Sequence, residues 1–334
     1  MLDEVGQWLR RRSWRVADRP LEALLAAKRR TGTTVSVVLP ALNEEATVGD
    51  IVSVIRRELA SPHLDTGTPL VDELIVMNSG STDRTAEVAA AAGAKVIHRD
   101  EVLPRLPTRP GKGEVLWRSL LATSGDIVCF VDADLREFSP DFVTGIVGPL
   151  LTEPDVQLVK AMYDRPLRDS PAGGGRVTEL VARPLLNLHW PRLAGLVQPL
   201  GGEYAARRSL LERLPFPVGY GVELALLVDA LELVGLDALA QVDVGVRLHR
   251  NQDGQALGRM ATAIYAAAER RIGRGGPALA QGAPSVFEGR SGGTALTQFE
   301  RDATGCFVPR GHLVDAEERP PMCTVPEYGQ RVAA

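Results

Sequence analysis

Asp126-Ile127-Val128-Cys129-Phe130-Val131-Asp132-Ala133-Asp134 is an apolar run of strand length that ends directly in a pair of carboxylates. Five consecutive apolar residues read as a strand covered on both faces, as a central parallel strand must be. In an open parallel sheet the ligand crevice lies beyond the carboxyl ends of the strands, so Asp132 and Asp134 are expected to point into it. Acids at i and i+2 of an irregular turn can serve one hard cation and a neighbouring ribose or phosphate together. A solvated turn or a helix cap is the competing reading, and it does not explain why acids stand at the mouth of so apolar a strand.

Outward from that strand the chain alternates. Thr34 to Leu39 predicts the first strong strand, stopped by Pro40; Val48, Ile51, Val52, Ile55 and Leu59 then recur at helical spacing, with Asn43 placed to cap that helix. Glu73 to Met77 predicts a strand, followed by the loop Asn78-Ser79-Gly80-Ser81, a helix from Thr82 to Ala92 ended by Gly93, and a strand from Ala94 to His98. A loop carrying Pro104, Pro107 and Pro110 leads to Gly111-Lys112-Gly113 and a helix through Thr123. This order predicts an α/β fold with a doubly wound, mainly parallel sheet.

Beyond residue 140 the pattern predicts a helix at 140–151, a strand at 156–162, a helix reaching Leu188, a strand at 203–206, a helix at 222–234 and a strand at 240–246. The expected division is a helical N-terminal arm at 1–30, a Rossmann-like nucleotide-binding part at 31–135, a smaller acceptor-binding part at 136–274, and a Gly- and Pro-rich tail at 275–334 that wraps the body or joins an oligomer.

Composition narrows the function. The 334 residues, 45% hydrophobic, are enough for a full core, and a net charge of -4 argues against a general nucleic-acid binder. The longest apolar runs fall far short of the roughly 20 residues of a membrane helix, and the N-terminus lacks a signal-peptide core, so a cytoplasmic protein without a membrane span is expected. Cys129, Cys306 and Cys323 form no Cys-x-x-Cys pair, and Cys129 reads as core packing. Arg10, Arg11, Arg12 and Arg15 read as a solvated helix face.

Three further groups carry chemistry. Leu39-Pro40-Ala41-Leu42-Asn43-Glu44-Glu45 and Asn78-Ser79-Gly80-Ser81-Thr82-Asp83 follow adjacent strands and offer backbone and short polar side chains to a nucleobase and ribose, although caps and turns alone could account for either. Lys112, flanked by glycines at a helix start, could meet a diphosphate or base. Gly173-Gly174-Gly175-Arg176-Val177-Thr178 places backbone, guanidinium and hydroxyl at a helix start, an anion site for phosphate or carboxylate, against the alternative of a bare linker. In Val246-Arg247-Leu248-His249-Arg250-Asn251, His249 alone would be a structural histidine. Beside an acid-pair metal site it is a candidate ligand that favours Mn²⁺ over Mg²⁺.

The succession of strand-Pro-x-x-Asn-Glu, Ser-Gly-Ser-Thr-Asp and Asp-x-Asp resembles the family 2-like GT-A glycosyltransferases. Longer motifs at 38–45, 110–120, 173–186, 198–205, 219–223 and 249–251 resemble glycosyltransferase family 81, the glucosyl- and mannosyl-3-phosphoglycerate synthases. The resemblance implies retaining transfer of a hexose from a nucleotide-diphosphate sugar to the 2-hydroxyl of D-3-phosphoglycerate, with Mg²⁺ or Mn²⁺ and a homodimeric assembly. It places Pro40, Ala41, Leu42, Glu44, Asn78, Ser79, Lys112 and Asp132 at the donor, and Asp134 and His249 on the metal. Gly175, Arg176, Thr178 and Asn251 fall at the acceptor's phosphate and carboxylate. Glu223 would accept hydroxyls of the transferred sugar, and the Leu200-Gly201-Gly202 backbone would face the reacting carbon. No enzymic nucleophile is implied.

Asn78 stands where the family usually has Asp. Asn both donates and accepts, whereas a carboxylate only accepts from uracil N3–H, so the expected donor is GDP-mannose at least as much as UDP-glucose. A polyprenyl-phosphate sugar transferase, a nucleotidyltransferase and a non-enzymatic sugar-nucleotide-binding protein are the competing functions.

Overall fold

A computed structural model describes residues 1–62, 67–167, 170–173, 175–248, 253–275, 293–301, 303 and 306–333. Helices α1 (Asp3–Arg12) and α2 (Leu21–Thr31) flank a short strand, β1 (Ser13–Arg15). The expected alternation follows: β2 (Val35–Ala41), α3 (Val48–Ile55), β3 (Glu73–Asn78), α4 (Thr85–Ala92), β4 (Lys95–His98), α5 (Lys112–Ala122) and β5 (Ile127–Phe130). Next come α6 (Asp141–Thr152), β6 (Leu158–Asp164), the ribbon β7 (Pro166–Leu167) and β8 (Ser170–Gly173), α7 (Arg183–His189), β9 (Tyr204–Arg207) and α8 (Arg208–Leu211). Then β10 (Phe216–Pro217), α9 (Val222–Val234), β11 (Leu239–Val246), α10 (Gly254–Gly275), β12 (Thr294–Arg301), β13 (Phe307–Val314), β14 (Glu318–Arg319) and α11 (Pro326–Ala333) complete the described α-helices and strands.

Eight strands form one sheet in the order β1-β11-β6-β9-β5-β2-β3-β4. Only β9 runs antiparallel to its neighbours, β5 and β6. From β2 the chain steps outward through β3 and β4, then returns to lay β5 on the other side of β2. That reversal opens a crevice at the carboxyl ends of β2 and β5, where Pro40 to Glu44 and Asp132 to Asp134 emerge.

Alternate residues of the central strands fill two cores. Val38, Ile75, Val128 and Phe130 face α5, α7 and α9 on one side; Val37, Leu39, Val76, Cys129 and Val131 face α2, α3 and α6 on the other. Every residue of β5 is buried, as its unbroken apolar run requires.

The N-terminal arm is not purely helical. Ser13–Arg15 pairs in parallel with Gln241–Asp243 as the edge of the sheet, and Trp8 is anchored in the core with its indole N–H donating to the Leu239 carbonyl at 2.8 Å. A three-residue strand is too short to carry a readable period.

Asn43 does not cap α3. It adopts φ 59°, accepts a hydrogen bond from the Thr82 N–H through its side-chain oxygen, and donates its own N–H to Ser81 Oγ. Glu45 likewise accepts from the Arg84 N–H, and Asp83 accepts from the Glu45 N–H, so the loops after β2 and β3 are tied to each other.

The described part of the tail carries regular structure that its composition does not suggest. Residues 294–301 and 307–314 form an antiparallel hairpin, and β14 pairs with β10. Arg319 reaches inward to the fully buried Glu114 of α5 at 2.6 Å, and the Trp117 indole donates to the Pro320 carbonyl.

Candidate active site

A cavity of about 660 Å³ occupies the crevice. Pro40 and Ala41 line it from the end of β2, Leu42 and Glu44 from the loop that follows, Ser79 from the loop after β3, and Asp132 and Asp134 from the turn after β5. Lys112, Leu200, Glu223, Gly175, Arg176 and Thr178 line the same space. Apart from Asn78 and Asn251, the residues expected from the sequence at donor and acceptor line one cavity, although they come from segments far apart in the chain. His249 and Asn251 lie outside the described residues.

Lys112 opens α5, and the chain reaches it through Gly111 at φ 134°, a conformation few side chains tolerate. Its ammonium stands 2.5 Å from Asp132 and 2.9 Å from Glu223. Burial alone would push the lysine pKa down, but the two carboxylates more than offset it and hold the value well above the ordinary one. Burial raises the Asp132 pKa in turn, and Lys112 and Arg247 together override that and keep Asp132 ionised far into acid.

Asp134 behaves differently. Burial pushes its pKa up; Arg247 opposes this at 3.1 Å, while the Asp132 and Glu203 carboxylates add to the rise. It is the under-compensated acid of the site, still about a quarter exposed to the cavity.

Asn78 is not where the donor argument needs it. It is buried and absent from the cavity wall, its side-chain oxygen accepts from the Ser81 N–H at 2.9 Å, and its nitrogen faces His98 Nδ1 at 3.4 Å. Ser79 does reach the cavity and accepts a hydrogen bond from Arg99, a further lining residue.

The residue that sequence reading missed is Arg247. At the exit of β11 it donates to Asp132 at 2.8 Å, to Asp134 at 3.1 Å and to Glu203 at 2.7 Å. Glu203 is fully buried and also accepts from the Tyr163 hydroxyl at 2.7 Å. One signal was available: two acids at the mouth of a buried strand demand a counter-charge, and Arg247 follows the strand that ends nearby in the same sheet. Val115, Val177, Leu257, Met260 and Ile264 form an apolar wall that the sequence did not single out.

Acids and cations gathered at the switch point of a mainly parallel sheet can grip a sugar nucleotide by its diphosphate, and this layout defines a GT-A glycosyltransferase. Residues 36–171 match the family model described as Glycosyl transferase family 2. The chain is 50% identical over 323 residues to glucosyl-3-phosphoglycerate synthase of Mycolicibacterium smegmatis, a match covering 96% of this chain and 98% of that protein. It belongs to the family of the glucosyl-3-phosphoglycerate synthases, glycosyltransferase family 81.

Two crystal structures of the Mycobacterium tuberculosis glucosyl-3-phosphoglycerate synthase are similar to it. One, with Mg²⁺ and UDP, has a TM-score of 0.78 at 47% identity and covers 93% of this chain and 98% of that one. The other, with Mn²⁺, UDP-glucose and phosphoglyceric acid, has a TM-score of 0.75 at 48% identity and covers 91% and 94%. Among the described residues, no helix is long and apolar enough to cross a membrane.

Proposed function

We propose that this glycosyltransferase moves glucose from UDP-glucose to the 2-hydroxyl of D-3-phosphoglycerate, with retention at the anomeric carbon. The observation that carries the reading is the single cavity in which Lys112, Asp132 and Asp134 face the same space as Arg176 and Thr178. UDP-glucose is favoured over GDP-mannose on two grounds. The relatives are glucosyl enzymes, and Asn78, the residue that pointed to a GDP sugar, spends its side-chain oxygen on Ser81 and does not line the cavity.

In this proposal Pro40, Ala41, Leu42, Glu44 and Ser79 hold the nucleoside, Asp132 the ribose side, and Glu223 the hydroxyls of the glucose. Gly175, Arg176 and Thr178, with Asn251, take the acceptor's phosphate and carboxylate. Arg176 opens the helical segment that runs through Thr178, so guanidinium and backbone N–H groups serve the same anion.

Asp134 fits a divalent cation: it is a largely buried carboxylate crowded by two acids and opposed by one arginine, and a hard cation relieves that imbalance. Asp134, with His249 as the further expected ligand, would hold Mg²⁺ or Mn²⁺, which would supply Lewis-acid stabilisation to the departing diphosphate. Lys112 adds its fixed positive charge beside the same leaving group. The acceptor hydroxyl attacks from the face that the diphosphate leaves; its oxygen bonds to the anomeric carbon, the carbon–phosphate oxygen bond breaks, and the proton passes to the leaving phosphate.

A homodimer in the cytoplasm belongs to the same proposal. Phe299, Phe307 and Leu313 stand exposed on the β12–β13 hairpin and supply apolar surface for a second copy.

Incubation with UDP-glucose, 3-phosphoglycerate and Mn²⁺, read by product mass and by the anomeric proton signal, tests the reading. An α-linked glucosyl-phosphoglycerate with UDP released in equal amount is expected. UDP release without that product would refute the acceptor, and a β-linked product would refute retention.

A further inference from the structure

Lys160 is a buried ammonium that the proposed mechanism does not use. It lies in β6, directly opposite Tyr204 of β9, and its Nζ sits 4.7 Å from the centre of the Tyr204 ring. Its one hydrogen bond among the described residues goes to the carbonyl of Gly201. Burial lowers its pKa to about 8 even though Glu223 and Glu203 pull the other way. A charge buried with a single hydrogen bond costs stability.

The Gly201 carbonyl belongs to the turn Leu200-Gly201-Gly202, of which Leu200 lines the cavity. Its two glycines are closely packed. A side-chain carbon on Gly202 would overlap the Asp132 carboxylate and the Lys112 ammonium, and one on Gly201 would lie 2.7 Å from the Tyr163 hydroxyl. Lys160 and Tyr163 stand on opposite faces of β6, so the turn at the sheet's end is gripped from both faces. Tyr163 is fixed by Glu203, and Glu203 by Arg247, which holds the acid pair. From the side of α9, Lys160 holds the Gly201 carbonyl beside Gly202, which packs against Lys112.

We propose that Lys160 is a positioning residue that fixes the Leu200-Gly201-Gly202 turn toward the donor's reacting carbon, and so sets the rate of transfer without contributing to nucleotide binding. The inference rests on the proposed function, in which that backbone faces the anomeric carbon. A carbonyl held at one orientation there stabilises the positive charge that develops as the donor breaks, and a turn free to swing by about 1 Å loses much of that effect.

The test is Lys160→Met, which keeps most of the volume and removes the donor and the charge. Three quantities are measured: kcat with both substrates saturating, UDP affinity by calorimetry in Mn²⁺, and the thermal midpoint. The expected result is a fall in kcat of about tenfold or more, with UDP affinity within about threefold of the wild type. The midpoint should stay within a few degrees, because a desolvated charge has been exchanged for an apolar chain. Lys160→Gln, which keeps a neutral donor, should recover part of the lost kcat.

An unchanged kcat in Lys160→Met overturns the proposal, as does a loss of UDP affinity that accounts for the whole defect. Equal defects in the Gln and Met variants overturn the hydrogen-bond role. Should Lys160→Met fold poorly, Lys160→Leu carries the same comparison. A wild-type enzyme that yields no product overturns the proposed function, and this inference with it. Normal wild-type turnover with an unaffected variant overturns the inference alone.

Discussion

Arg247 donates from Nε to the Glu203 carboxylate at 2.7 Å, with 3% and 0% of the two side chains exposed to solvent. A pair so enclosed contributes through what its loss would leave behind. Glu203→Ala takes the acceptor from the buried Arg247 Nε and from the Tyr163 hydroxyl, while Asp132 and Asp134 still face the guanidinium, and is expected to cost about 1–3 kcal/mol of folding stability. Urea denaturation checks this. A loss near zero would mean that the acid pair alone holds Arg247.

Asp134→Ala should abolish transfer and leave the fold intact, since burial and neighbouring acids already disfavour its ionised form. A fall in kcat of about a thousandfold or more, with the thermal midpoint in metal-free buffer unchanged, is the expected pair of results. An undiminished rate would remove the metal assignment.

Arg176→Ala should act on one substrate. The apparent KM for 3-phosphoglycerate is expected to rise about tenfold or more, while the KM for the sugar nucleotide stays within about threefold. Steady-state kinetics with each substrate varied in turn decides it, and the reverse pattern would move the acceptor site elsewhere.

Glu73 carries an acid-range dependence. Burial raises its pKa, but hydrogen bonds from the Ser124 N–H and hydroxyl, the Ser36 hydroxyl and the Gly125 N–H outweigh that and leave it lowered. A lowered folded-state pKa means the contribution is complete above the unfolded value of about 4.3 and disappears as pH falls through the folded value. Stability of Glu73→Gln relative to wild type should therefore be lower at pH 7 and converge with it toward pH 3. Chemical denaturation at both pH values checks this; a constant difference would contradict it.

Arg319 ties the C-terminal segment to Glu114, which also binds Arg118 at 2.6 Å. Arg319→Ala leaves a buried carboxylate with half its compensation and should cost about 3 kcal/mol by denaturant titration. A loss within error of zero would mean that Arg118 suffices.

The sequence made Asp132 and Asp134 legible because their strand is apolar at every position, so the acids beyond it had to face a ligand. Lys112 was legible through its flanking glycines. Arg247, Glu203 and Lys160 were not, because one charge beside or within a strand reads alike whether it is solvated at an edge or enclosed in a network. Asn43 misled for a related reason: the polar side chain that caps a helix can equally tie two loops together. The β12–β13 hairpin escaped notice because its alternation is between half-buried and exposed positions, too shallow to show as a hydrophobic period.

The most direct test of the central claim is a donor competition: UDP-glucose and GDP-mannose at equal concentration with 3-phosphoglycerate and Mn²⁺, the product resolved by chromatography against glucosyl and mannosyl standards. Glucosyl-3-phosphoglycerate is expected as the main product, with UDP rather than GDP accumulating. Predominant mannosyl product would contradict it and return the donor's choice of base to Asn78.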